Sequence, residues 1–269
     1  MDIVILSGKG GTGKTTVSTN LSQVMDYAYI DCDVEEPNGY IFLKPDHTNT
    51  HEVCLLNPEF TDACTFCGKC VEACEYNAIV SMLDRMMLFE DLCHGCGACK
   101  LACPVDAIRE IERPIGLVKT SDDFGMGLLN LKEPMGGPII SKLKSITKDY
   151  KNRILDAPPG VSCSVVKACE DADFAVLVTE PTQFGLHDLR KAVDLVRTLK
   201  IPFGVVINRY DGPSFMDEYL LDDKIECLGR IPFSKEAAVM YSEGKMLIED
   251  EKLHGTFLEI ARAVQRRLS

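Results

Sequence analysis

What this 269-residue sequence lacks narrows it first. No apolar run approaches the roughly 20 residues of a membrane-spanning helix, and Met1 leads almost directly into DIVILS rather than into a signal peptide. The chain is therefore expected to stay in the cytoplasm, off the membrane. Positive charge is scarce: 29 Lys and Arg stand against 41 Asp and Glu, a formal charge of -12. That balance excludes a general nucleic-acid binder, because neutralising phosphates takes clustered Lys and Arg. Low-complexity tracts are also missing, and 46% hydrophobic with 26% charged residues is the composition of a folded globular chain. The length permits one large domain or two small ones.

Cysteine, by contrast, is in excess. Thirteen in a chain expected to meet reducing conditions point to metal or redox chemistry rather than to disulfides. Eight of them form an internal repeat offset by 29 residues. Cys64, Cys67, Cys70, Cys74 and Ile79 recur as Cys93, Cys96, Cys99, Cys103 and Ile108, with Gly68/Gly97, Ala73/Ala102 and Ala78/Ala107 also matched. Both runs have the spacing C-x2-C-x2-C-x3-C, and Pro104 follows the second, which is the pattern of bacterial ferredoxins with two 4Fe-4S clusters. In that arrangement the fourth cysteine of each run crosses to the other cluster. One set would be Cys64, Cys67, Cys70 and Cys103, the other Cys93, Cys96, Cys99 and Cys74. The first run ends Cys74-Glu75 instead of Cys-Pro, which changes the turn but removes no ligand. Structural zinc is the alternative, although it normally uses two separated C-x2-C pairs. Residues 58–112 carry ten acidic against four basic residues, and such surroundings favour low reduction potentials. His94, inside the second run, is either a tuning group or simply exposed.

Around the repeat, strand-like apolar runs at 3–6, 28–30, 153–155, 174–178, 203–207 and 225–228 alternate with helical patterns such as Leu186, Leu189, Val193, Val196 and Leu199. The expected fold is α/β, a mostly parallel sheet with helices on both faces, carrying a small α+β ferredoxin-like insertion between the second strand and the third. The division is 1–57 and 113–269 for the α/β domain and 58–112 for the insertion.

Gly8-Lys9-Gly10-Gly11-Thr12-Gly13-Lys14-Thr15 satisfies G-x-x-x-x-G-K-[ST], between an apolar strand and a helix that begins at Thr16. Glycines let the backbone approach phosphates and visit positive φ, and the helix N-terminus adds aligned N–H dipoles. Lys14 would neutralise the β and γ phosphates and Thr15 would ligate Mg²⁺. Asp31, Asp33 and Asp156 stand at strand ends on the presumed ligand edge, where an acidic side chain is otherwise often only a helix cap.

With Lys9 in place, GKGGTGKTT resembles the deviant Walker A motif of the MinD, ParA, Mrp and nitrogenase iron-protein superfamily. The resemblance implies an ATPase, slow and dimer-dependent, in which Lys9 reaches across an ATP sandwich to the partner's nucleotide in a homodimer or a heterodimer with a paralogue. Tyr29-Ile30-Asp31-Cys32-Asp33 is similar to the family's second strand and switch I, Asp33 then orienting the attacking water. Ile154-Leu155-Asp156-Ala157-Pro158-Pro159-Gly160 is similar to the Walker B strand and switch II, Asp156 then holding Mg²⁺ through water. Asn208 and Pro232 fall in segments resembling those beside adenine, although an Asn after a strand is also a common turn residue. Residues 127–138, GLLNLKEPMGGP, resemble the family members of anaerobic bacteria and archaea that carry a ferredoxin insertion. Their sequence alone gives no physical reason for the match.

Three roles compete. The first is an ATP-gated redox protein exchanging electrons with a partner protein. The second is a cluster or metal carrier of the Mrp type, passing a cluster to an accepting protein, although the Mrp C-terminal C-x-x-C is absent. The third is a MinD-like positioning ATPase acting through a protein partner or through a membrane-binding C-terminal helix, for which Ile260, Ala261, Val264 and Leu268 with Arg262, Arg266 and Arg267 are the candidates. Such a helix more often packs on its own sheet. Of the other cysteines, most, among them Cys32, Cys54, Cys169 and Cys227, are expected as buried thiols. Cys163 lies near where the nitrogenase iron protein carries one bridging-cluster cysteine. No cysteine in 113–155 supplies a second, so a third cluster is not expected.

Overall fold

A computed structural model describes residues 1–46 and 48–268. Its strands are β1 (Asp2–Leu6), β2 (Ala28–Asp31), β3 (Asn49–Phe60), β4 (Ile79–Ser81), β5 (Met86–Leu88), β6 (Ile108–Thr120), β7 (Phe124–Leu129), β8 (Arg153–Asp156), β9 (Phe174–Thr179), β10 (Phe203–Tyr210) and β11 (Cys227–Pro232). Among the described residues, nine strands form one sheet in the order β11-β10-β9-β1-β8-β2-β7-β6-β3. From β11 to β7 every pairing is parallel, and β6 and β3 close that side antiparallel.

Alternation along the strands divides the interior in two, as period-2 side chains must when both faces of a sheet are covered. Ile3, Ile5, Ile154, Val176 and Val206 meet α1 (Lys14–Met25) and the C-terminal helix on one face, through Val17, Leu21, Phe257 and Ile260. Val4, Leu6, Leu155, Leu177 and Val205 face the opposite layer, built from Ile139, Leu143, Val165, Leu189, Val193 and Met216. The Leu186 to Leu199 pattern is the buried stripe of the helix Gln183–Thr198. The C-terminal helix, Glu251–Leu268, buries Ile260, Ala261 and Val264 against its own sheet. No helix among the described residues is long and apolar enough to cross a membrane.

Six strands were expected and nine stand in the sheet. The additional β3, β6 and β7 lie in the chain between β2 and β8, and the last strand starts at Cys227 rather than at 225. Strands β3 and β6 form a long ribbon from Asn49↔Thr120 to Phe60↔Ile108. Val53 pairs with Gly116, which in turn pairs with Leu129, the last residue of β7. Residues 54–60 and 108–114 therefore overhang the carboxyl edge of the parallel strands. Pro114 sits beside a bulge and Pro58 lies on an edge strand, the two places where a sheet tolerates a residue without N–H.

The repeat occupies the far end of this ribbon. Two four-residue helices, Lys69–Glu72 and Ala98–Leu101, stand 29 residues apart, each entered through a glycine at positive φ, Gly68 at 78° and Gly97 at 73°. They enclose a separate small core of Cys70, Ile79, Cys99 and Ile108, with Phe60 and Met86 against it.

Candidate functional site

Strand β1 ends at Leu6, and the glycine loop turns from it into α1 at the middle of the sheet's carboxyl edge. Gly11 and Gly13 have φ of 81° and 89°, so both occupy backbone that side-chain-bearing residues rarely adopt. A Cβ on Gly13 would overlap the Asn208 amide, and one on Gly8 would overlap the Asp188 backbone. Asn208 Nδ2 also donates to Thr12 O at 2.8 Å, so the end of β10 braces the loop. A cavity of about 490 Å³ opens here, lined by Gly10, Gly11, Gly13, Lys14, Thr15, Thr16, Asp33, Asn208 and Pro232, with Phe233 and Tyr241 at one end.

Of the residues assigned to this site, Gly8, Lys9, Thr12 and Asp156 do not line the cavity. Gly8 packs on Asp188, and Lys9 turns to Glu180, with Nζ 3.8 Å from its carboxylate. Thr12 is buried with its hydroxyl unpartnered, an orphaned donor inside the loop. Asp156 lies behind Lys14, wholly buried, with Oδ1 2.6 Å from Lys14 Nζ.

The electrostatics centre on Lys14. Burial alone would lower its pKa, but Asp156 above all, then Asp33 and Asp31, raise it on balance, so the ammonium stays charged. One cation faces three carboxylates. Asp31 is pushed up to about 7, first by burial and then by Asp156, and Asp33 to about 6, first by burial and partly offset by Lys14. The Tyr29 hydroxyl lies 2.9 Å from Asp156 Oδ2 and 3.2 Å from Asp31 Oδ2, and its single proton serves one of them at a time. The set is short of positive charge, which a divalent cation would supply. Both Asp156 oxygens already face protein donors, so Asp156 would suit a hydrated Mg²⁺ reached through water, and Thr15, which lines the cavity, would be the residue to hold the ion. Tyr29 stands in the second-strand segment, residues 29–33, without a role of its own, and Glu180 belongs to no motif, so the sequence pointed to neither as part of the site.

The cysteines fall into two further cavities. One is lined by Cys64, Cys67, Cys70 and Cys103 with Phe60, Met86 and Ile108. The other is lined by Cys93, Cys96, Cys99 and Cys74 with Leu56, Pro58 and Ile79. Each cavity thus holds three cysteines of one run and the fourth of the other. The two crossing cysteines have matching surroundings: Ala78 N donates to Cys74 Sγ at 3.3 Å and Ala107 N to Cys103 Sγ at 3.2 Å, again 29 residues apart. Such N–H···S contacts stabilise thiolate ligands. Among the described residues no three His, Cys, Asp or Glu stand close enough to share a single metal ion. A 4Fe-4S cube would place its four thiolates on four different irons, and four cysteines around one apolar cavity would fit such a group. His94 is exposed yet stacked on Tyr76, ring centroids 3.5 Å apart. Of the remaining thiols, Cys32 and Cys169 are buried as expected, burial pushing Cys169 up to about 12 and Cys32 further, whereas Cys54 and Cys227 are only half-buried and Cys163 is exposed.

A contiguous set of contacts joins the two regions. Val34, next to Asp33, accepts a bond from Leu129 N at 2.8 Å. It packs so tightly on Gly127 and Gly136 that a Cβ at either would lie within 2.7 Å of it. This is the physical sense of Gly127 and Gly136, whereas a Cβ at Gly137 would meet open space. In the same loop Glu133 forms a two-pronged, largely buried ion pair with Arg113 at the base of the ribbon. Arg113 opposes Leu55, and Leu55 and Leu56 touch Gly95 in the second cysteine run.

Residues 3–248 match the family model for the CobQ/CobB/MinD/ParA nucleotide binding domain. An uncharacterized protein of Methanocaldococcus jannaschii is 32% identical, across 97% of this chain and 96% of that protein. An iron-sulfur cluster carrier protein of Pyrococcus horikoshii is 23% identical, across 99% of this chain and 86% of that protein. Among solved structures, the septum site-determining protein MinD complexed with Mg-ADP, also from Pyrococcus horikoshii, shares the fold with a TM-score of 0.61 at 20% identity, across 98% of this chain and 96% of that one. With the family model spanning residues 3–248 and a relative 32% identical over nearly the whole chain, the chain belongs to the CobQ/CobB/MinD/ParA family of P-loop ATPases, of the MinD/ParA/Mrp type.

Proposed function

We propose that this ATPase is a switch in which Mg-ATP draws two subunits together and thereby alters electron exchange between a two-cluster module, residues 58–112, and a partner protein. The observation that carries the reading is the gathering of each crossed set of four cysteines around its own cavity, on a ribbon rooted beside switch I. Lys14 binds the β and γ phosphates, Thr15 and Asp156 hold Mg²⁺, Asp33 orients water, Asn208 and Pro232 flank the base, and Lys9 serves the other subunit's nucleotide. The cysteine sets hold two 4Fe-4S clusters, which supply one-electron chemistry when bound. Val34 follows β2, two strand spacings or about 10 Å from β6, so a rearrangement around the γ-phosphate has a short path to the ribbon.

The test is an EPR-monitored redox titration of anaerobically purified protein with Mg-ATP, with Mg-ADP and without nucleotide. The expected result is two 4Fe-4S signals whose potentials or line shapes differ between ATP and ADP. Identical spectra and identical electron-transfer rates in all three conditions would refute the coupling.

The carrier role is the second reading, favoured by the names of relatives such as the Pyrococcus horikoshii protein. It requires labile clusters. Transfer to an apo-acceptor in the presence of an iron chelator separates the two: retained clusters and an unreconstituted acceptor count against carriage, and rapid handover counts for it.

A further inference from the structure

Glu180 follows the last residue of β9, with its side chain 10% exposed. One carboxylate serves two cations: Oε1 accepts from Arg209 Nη1 at 2.6 Å, and Oε2 lies 3.8 Å from Lys9 Nζ. The backbones on both sides are fixed. Gly185 packs on Glu180 O closely enough to exclude a Cβ, its N–H donates to Thr182 Oγ1 at 2.9 Å, and its carbonyl accepts from Thr179 Oγ1 at 3.1 Å. Ser7 Oγ donates to Lys9 O at 2.8 Å, and Gly8 is wedged on Asp188. The side chains of Lys9, 35% exposed, and Arg209, 55% exposed, reach Glu180 from the solvent side.

The two bonds are unequal, and the inequality matters. A buried carboxylate stripped of every partner is strongly unfavourable, but Arg209 at hydrogen-bond distance satisfies Glu180 by itself. Lys9 is the looser, second cation and can leave without exposing a bare buried charge. It lines no part of the cavity in its own subunit.

We propose that Glu180 is a positioning residue that stows Lys9 until the triphosphate of a second copy of this chain competes for it, with Arg209 setting how readily Lys9 is released. The proposal rests on the ATP-closed dimer of the reading above. It gives the two neighbours opposite effects. Glu180→Gln keeps a shape and an acceptor for Arg209 but loses the charge that retains Lys9, which eases dimer formation. Arg209→Gln leaves Lys9 as the sole partner of a buried carboxylate, which hinders it.

The experiment is sedimentation velocity over a protein dilution series in saturating Mg-ATP, with mant-ATP binding to the monomer measured in parallel. Glu180→Gln is expected to dimerise at about five- to tenfold lower protein concentration than wild type, the combined effect of two half-exposed ion pairs per dimer. Arg209→Gln is expected to shift the other way, beyond any change in mant-ATP affinity. Lys9→Gln in the Glu180→Gln background should erase the gain, which a general change in folding would not do. A Glu180→Gln protein that dimerises at wild-type or higher concentrations overturns the proposal. Wild type that stays monomeric in Mg-ATP at every concentration overturns the dimer reading itself and this proposal with it, and the two failures are told apart by the wild-type trace.

Discussion

At Gly13 backbone conformation and packing make the same demand. Its φ of 89° and the Asn208 amide against it both exclude a side chain. Gly13→Ala should therefore cost about 1–3 kcal/mol of local strain and push Asn208 off Thr12 O, with at least about a tenfold loss of nucleotide affinity. Fluorescent nucleotide titration checks this, and wild-type binding would show that the loop relaxes freely. The crossing cysteines permit a sharper result. Cys74 belongs to the first run but lines the cavity of the second, so Cys74→Ser should deplete the cluster of Cys93, Cys96 and Cys99 and spare the other. Cys103→Ser should do the reverse. Iron content with EPR of the surviving signal decides, and loss of the Cys64 cluster in Cys74→Ser would contradict the crossing. Residues like these were legible because their spacing is local: the glycine loop lies within eight positions and each cysteine run within eleven. Glu180 was not, since Lys9, Glu180 and Arg209 are brought together by three different strands, β1, β9 and β10.

Between elements, the contact that matters most is the one from the loop after β2 to the ribbon. Val34 is held by Leu129, Gly127 and Gly136, and Glu133 of that loop grips Arg113, whose Nε is buried without a partner. Glu133→Gln keeps one hydrogen-bonding oxygen but removes the charge, and breaking a largely buried pair in this way should cost about 3 kcal/mol of stability. The functional consequence is separable from that cost. Hydrogen exchange of residues 90–97 should respond to Mg-ATP in wild type and cease to respond in Glu133→Gln while mant-ATP binding persists. An unchanged response in the variant would mean that the path runs elsewhere. The strands carrying this path were the ones that sequence pattern did not reveal. In β6, Arg109, Glu110, Glu112, Arg113 and Pro114 interrupt the apolar alternation, because much of the ribbon overhangs the sheet and has no core to face. The central strands, buried on both sides, are nearly continuous apolar runs and were read correctly.

For the molecule as a whole, the question is whether the cysteine module and the ATPase are separate folding units. Residues 61–107 have a small core of their own, sharing with the sheet only the ribbon whose last pair is Phe60↔Ile108. Replacing 61–107 by Asn-Gly would close that pair with a two-residue hairpin whose twist matches the strands. Phe60 and Ile108 would lose their partners Ile79 and Met86, so both should also be changed to Thr to avoid an exposed apolar end. The shortened chain is expected to keep the nine-stranded sheet, bind Mg-ATP with wild-type affinity and gain a nucleotide-dependent rise in melting temperature, because every residue of the nucleotide cavity lies outside the deletion. It should carry no iron, and it should separate catalysis from gating. If hydrolysis persists at the wild-type rate, the module does not act on the chemical step; if the rate changes, the module and the nucleotide site are coupled in that step, a kinetic effect that need not equal their coupling in binding. Circular dichroism, a thermal shift with Mg-ATP and a phosphate-release assay make these measurements, and a chain that cannot fold without residues 61–107 would refute the division into two units.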